Sequence, residues 1–204
     1  QTMHIAQELY EGIGGKGLIT YMRTDSVSLS PEFLGEARAW LKVNAPDALA
    51  ERVPSFKSKA DAQGAHEAIR PTSAELTPSQ AQSAYGLTSE QANIYRIIWE
   101  RAMACLCKPA TLAKSRVLID CENTRWVARG MSIVDPGYLA FWQNLEEERV
   151  LPEVHAGQRL TVGDVKVDAK VTQPPSRYSE PKLVQLMEKK GIGRPSTYAS
   201  TIAT

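Results

Sequence analysis

The sequence predicts an α+β chain of more than one domain. Apolar residues recur at helical spacing up to Pro109, the period drops to two between residues 110 and 175, and capped helical patterns return over 176–204. At 204 residues, 43% hydrophobic and 23% charged, the chain can bury a core and has a globular composition.

In the first region Ser30 is placed as an N-cap with Pro31 at the first helical position, and Leu29 and Leu34 stand where a hydrophobic staple forms. Phe33, Leu34, Ala37, Trp40 and Leu41 then share one apolar face. "TSEQ" (88–91) has the capping-box pattern. It opens a helix whose buried side is Tyr95, Ile98, Trp99, Ala102, Met103 and Leu106, and Lys108-Pro109 ends it. Residues 44–65 read as an exposed loop. In the second region "KSRVLIDC", "TRWVARGM" and "QRLTVGDVKVDAKV" alternate apolar and polar residues and are valine-rich, as strands are. "CENTR" and "VDPGY" supply turns. The third region offers a helix over "EPKLVQLMEKK" stopped by Gly191, and Pro195 suits a second helix start.

The bulk properties narrow the classes. No apolar run approaches the roughly 18 residues of a membrane helix, and "QTMHIAQELY" lacks the basic start and apolar block of a signal peptide. The expected location is the cytoplasm. The chain starts without methionine and ends inside a helical pattern, so both ends are expected to be cuts in a longer protein. Cys105, Cys107 and Cys121 are odd in number and have no His or Cys partner at zinc spacing, which fits thiols in a reducing compartment. Net charge is +1, divided as −1 over 1–109, −1 over 110–175 and +3 over 176–204. Any footprint for a polyanion is therefore concentrated at the C-terminal end.

Three clusters could do chemistry. In "GLITYMRTDS" (17–26), read as extended, Ile19, Tyr21, Arg23 and Asp25 share one face, opposite Leu18, Thr20, Met22 and Thr24. A phenol with a pKa of about 10 is a poor nucleophile until a cation stabilises the phenolate or the charge developing on a phosphate. Arg23, about 7 Å along a strand, is placed to supply that charge, and Asp25 to orient it. A surface strand with an Arg–Asp pair is the plainer alternative. In "HEAIRP" (66–71) His66 and Arg70 lie four apart, and on a helical turn they could hold one phosphate. A zinc protease would need histidine where Arg70 stands. In "GRPSTYAS" (193–200) Arg194, Ser196, Thr197 and the amides of a helix start suit an anion, or ordinary capping.

Taken together, "GLITYMRTDS", "AHEAIRP" and "PPSRYSEPKLVQLMEKKGIGRPSTYAS" resemble, in order along the chain, the corresponding stretches of type IA DNA topoisomerases. Methionine after the tyrosine resembles the bacterial topoisomerase I branch more than topoisomerase III or reverse gyrase. The resemblance implies that Tyr21 is the nucleophile that becomes linked to a 5′-phosphate and that Arg23 contacts the scissile phosphate. Asp25, His66, Arg70, Arg194, Ser196 and Thr197 would then be DNA-binding residues. It also implies a winged-helix-like domain over 1–109, part of a β-rich arch over 110–175, and the first helices of a single-strand-binding domain over 176–204. The "GIGG" before Lys16 departs from the shorter link expected there. The Mg²⁺ of the family would be bound by an Asp-x-Asp-x-Glu cluster in a toprim domain absent from this chain, which has no such triplet. The implied partners are single-stranded and negatively supercoiled DNA, with a monomeric, nucleoid-associated parent and no membrane. A non-enzymatic winged-helix DNA-binding module and a protein-interaction fragment are the competing readings.

Overall fold

The computed structural model describes residues 1–24, 26–56, 67–145, 147–164 and 166–203. They form two compact units, Gln1–Leu151 and Pro152–Thr204.

Four helices build the core of the first unit: α1 (Thr2–Glu11), α2 (Pro31–Asn44), α3 (Pro78–Tyr85) and α4 (Ser89–Ala104). The caps read in the sequence are in place. Ser30 Oγ accepts from the Phe33 N–H at 3.3 Å, and Gln91 Oε1 and Thr88 Oγ1 close the box at the head of α4. Leu29 and Leu34 are both partly buried against the core. Side chains without solvent access lie where these elements meet, among them Leu9, Leu18, Ile19, Leu41, Tyr95 and Met103.

Polar atoms inside the core are satisfied rather than avoided. Tyr95 Oη donates to Leu76 O at 2.8 Å and Trp99 Nε1 to Ala74 O at 3.0 Å. Burial pushes the Tyr95 phenol well above its ordinary pKa. Trp40, Trp99 and Phe141 stack edge to face or tilted, with centroids 5.1–6.2 Å apart.

Two expectations change here. Residues 45–50 are not an exposed loop: Ala48 and Ala50 are buried, and Ala50 N–H donates to Leu106 O while Lys108 N–H donates to Ala48 O. Arg38 explains the fold-back, because its guanidinium reaches Ala50 O and Glu51 O at 3.0 and 3.2 Å. The rest of that stretch from residue 57 on lies outside the described residues. Helix α3 is an addition. Thr77-Pro78 with Gln80 is its signal, since Gln80 Oε1 accepts from the Thr77 N–H at 3.0 Å.

The valine-rich region forms one long antiparallel hairpin, β1 (Thr111–Cys121) and β2 (Thr124–Asp135), turning at Glu122-Asn123. Ile119 opposes Trp126, Val117 opposes Ala128, and Arg116 opposes Arg129. The Asp120–Arg125 pair near the tip is bidentate (2.6 and 3.1 Å) and holds the carboxyl below its usual range. At the base Lys108 Nζ meets Asp135 at 2.5 Å. A turn of 3₁₀ helix, Gly137–Ala140, follows. The three cysteines are free thiols, and burial pushes Cys107 up to about 11.

In the second unit "QRLTVGDVKVDAKV" forms no strand among its described residues, all of which are exposed. Alternation marks a strand only where another strand supplies the ladder and something covers the apolar face, and neither is found there. α5 (Glu180–Lys190) ends as expected on Gly191 in the left-handed region (φ 68°). α6 (Tyr198–Ala203) begins three residues later than Pro195 suggested. Residues 194–197 make a turn instead: Arg194 N–H donates to Thr197 Oγ1 at 2.9 Å and Thr197 N–H to Arg194 O at 2.8 Å.

Candidate active site around Tyr21

The approach to Tyr21 begins at the end of α1. Gly12 takes φ 113°, and Gly14-Gly15 turn the chain tightly so that Ile13 bridges Lys16. This is the "GIGG" departure, and its effect is to send the chain back along the helix it has just left. Leu18 N–H donates to Leu9 O at 2.8 Å, one α1 turn below Gly12. Leu18 and Ile19 are consequently both in the core.

The strand then finds its partner in residues 67–72. Ile19 bridges Pro71, Thr20 N–H donates to Arg70 O at 2.9 Å, and Thr72 N–H donates to Leu18 O at 2.9 Å. Thr20 Oγ1 accepts from Arg70 N–H at 2.9 Å and donates to Ala68 O at 2.8 Å. Ala68 N–H continues the chain of bonds to Ser28 O. Three stretches distant in sequence are thereby tied together under Tyr21.

Tyr21 itself is 43% exposed, and its ring stands edge-to-face against Tyr10 with centroids 5.2 Å apart. Met22 is buried and Arg23 exposed. Among the described residues Arg23 makes no hydrogen bond or ion pair, so its guanidinium is open to a ligand. Tyr21 and Arg23 are exposed with buried Met22 between them, the alternation expected of extended backbone, whereas Ile19 is buried and does not share their exposure. Asp25 and His66 lie outside the described residues.

Arg70 is brought to the site but faces inward. Its side chain is 13% exposed, with Nε on Glu67 Oε2 (2.7 Å), Nη1 on Pro71 O (3.0 Å) and Nη2 on Ser30 Oγ (3.3 Å). The guanidinium also lies 4.8 Å over the Phe33 ring. Arg194, Ser196 and Thr197 are in the second unit, where Arg194 and Ser196 have no role in the core and Thr197 closes the turn before α6. Sequence reasoning missed Thr20 and Tyr10. The threonine's signal was its place beside the tyrosine, and the ring contact had none, because it depends on the glycine turn.

Among the described residues no group of three or more His, Cys, Asp or Glu side chains could hold a metal ion. An exposed phenol beside an exposed guanidinium, on a strand fastened at its base, suits covalent attack on a phosphodiester.

The chain is 39% identical over 209 residues to DNA topoisomerase 1 of Campylobacter jejuni and 41% identical over 221 residues to that of Xylella fastidiosa, with all of the chain covered in each case. It covers 30% and 27% of those relatives, so it spans less than a third of their length. The full-length topoisomerase I of Thermotoga maritima superposes on 98% of the chain with a TM-score of 0.78 and 35% identity, over 33% of its own length. A family model described as DNA topoisomerase matches residues 1–204. The chain belongs to the DNA topoisomerase family.

Proposed function

We propose that the parent of this chain is a type IA topoisomerase of the bacterial topoisomerase I kind. It cleaves one DNA strand with Tyr21, passes DNA through the gap and rejoins the ends, relaxing negative supercoils. Tyr21 Oη attacks the phosphorus, the bond from phosphorus to the 3′-oxygen breaks, and a 3′-hydroxyl leaves. The phosphotyrosine bond keeps the energy of the broken ester, so rejoining needs no nucleotide cofactor. Arg23 grips the phosphate oxygens and offsets the charge that develops on them.

The observation that carries this reading is the exposed Tyr21–Arg23 pair on a strand anchored through Thr20. Asp25, His66, Arg194, Ser196 and Thr197 are read as lining the path of the DNA, and Arg70 as serving it from beneath. On the same reading residues 1–109 are winged-helix-like, 110–175 belong to an arch and 176–204 begin a single-strand-binding domain. Mg²⁺ would be held by the toprim domain of the parent. The parent is read as a cytoplasmic, nucleoid-associated monomer. Among the described residues no helix is long and apolar enough to cross a membrane.

The test is a Tyr21→Phe parent enzyme incubated with single-stranded DNA and run on a denaturing gel. The covalent adduct should disappear while strand binding persists, because only the attacking atom is removed. An adduct that survives the substitution assigns the nucleophile elsewhere, and binding without any adduct in the wild type would leave a DNA-binding module.

A further inference from the structure

We propose that Thr20 is the positioning residue for Tyr21, its single hydroxyl clamping the nucleophile's strand to the 67–71 segment. This rests on the reading of Tyr21 as the nucleophile. The phenol has little to hold it: it is 43% exposed, its ring contact is Tyr10, and among the described residues its oxygen makes no hydrogen bond. Beyond it the chain bends at Met22–Arg23. The last point before the phenol where backbone and side chain are both fixed is therefore Thr20.

That fixing is unusually complete. The Thr20 N–H donates to Arg70 O (2.9 Å), and Oγ1 accepts from Arg70 N–H (2.9 Å) while donating to Ala68 O (2.8 Å). The segment it grips is itself rooted. Ala68 N–H reaches Ser28 O at 2.8 Å, and the Arg70 guanidinium ends on Ser30 Oγ, the N-cap of α2. The position needs one atom that both donates and accepts, on a branched Cβ that restricts χ1 and so presets the hydroxyl. Valine has the branch and lacks the hydroxyl, leaving the Arg70 N–H and the Ala68 carbonyl without that partner.

Thr72 supplies the control. Its Oγ1 donates to Gly17 O at 2.9 Å, joining the same two segments on the other side of the Ile19–Pro71 bridge, away from Tyr21. Thr72 makes one exposed bond where Thr20 makes two part-buried ones, so a role in stability alone would slow each variant only in proportion to its loss of stability in urea. A role in positioning would slow Thr20→Val beyond that proportion.

The experiment is single-turnover adduct formation by the full-length parent, beside oligonucleotide affinity. Thr20→Val should slow adduct formation about 10- to 100-fold, the scale of a misplaced reacting atom, with affinity unchanged. Thr20→Ser should restore most of the rate, and Thr72→Val should leave it near wild type. Wild-type cleavage by Thr20→Val, or equal slowing by Thr72→Val, overturns the inference. Should the valine variant not fold, Thr20→Ala takes its place under the same criteria. A wild-type parent that forms no adduct, or an adduct that survives Tyr21→Phe, removes the reading of Tyr21 and this inference together. A normal adduct in both wild type and Thr20→Val removes this inference alone.

Discussion

Arg70 donates from all three side-chain nitrogens to protein oxygens, whereas Arg23 is exposed and donates to none among the described residues. The same guanidinium is thus structural in one place and open to a ligand in the other. The motif spacing marked both residues equally, because a sequence shows residue type and not desolvation. Glu67, three residues before Arg70, was a visible partner. Ser30, forty residues away, was not, since only the folded ladder brings it near. For Arg23 the consequence is an expected loss on Arg23→Lys: cleavage by the parent should fall roughly 10²-fold, because an ammonium retains the charge and loses the planar two-pronged grip. Cleavage rates measured at saturating DNA check this, and an unchanged rate would leave Arg23 a bystander.

At the scale of elements, local chemistry was legible wherever it closes locally. Ser30-Pro31, the 88–91 box and Gly191 each fix a helix end within four residues, and each is found as read. What was not legible depends on distant partners. The 45–50 fold-back requires Arg38 and the end of α4, and the described residues of 158–171, all exposed, have the pattern of a strand without a neighbouring one. The turn after α1 is intermediate: "GIGG" stood out as a longer link than expected, but nothing local showed that it would reverse the chain onto α1. Gly12 is its critical residue, since at φ 113° an added Cβ would stand 2.8 Å from the Lys16 carbonyl carbon. Gly12→Ala should therefore destabilise the first unit by about 1–3 kcal/mol, read from urea denaturation of the chain. A midpoint and slope equal to wild type would show that the turn relaxes freely.

At the scale of the whole molecule, three short motifs in order along the chain carried the resemblance to the family, because each is a sparse pattern and the three together are sparser. The chain covers less than a third of its curated relatives, and its described residues assemble no metal-binding group. The isolated chain is accordingly expected neither to nick nor to relax DNA, with or without Mg²⁺. It should bind single strands weakly, with a log–log salt slope of about −0.7 per phosphate neutralised, since only residues 176–204 carry a net positive charge, +3. Oligonucleotide titration across a salt series with a denaturing gel alongside reads both, and Mg²⁺-dependent nicking by pure chain would overturn the expectation. The Tyr10–Tyr21 ring pair, at 5.2 Å and 62°, adds a use of its own. Circulating electrons in one ring shield protons of the other, so the two tyrosines should give displaced aromatic resonances. A phenol that swings away from Tyr10 would lose that displacement, which makes the resting pose of Tyr21 visible in solution without a label.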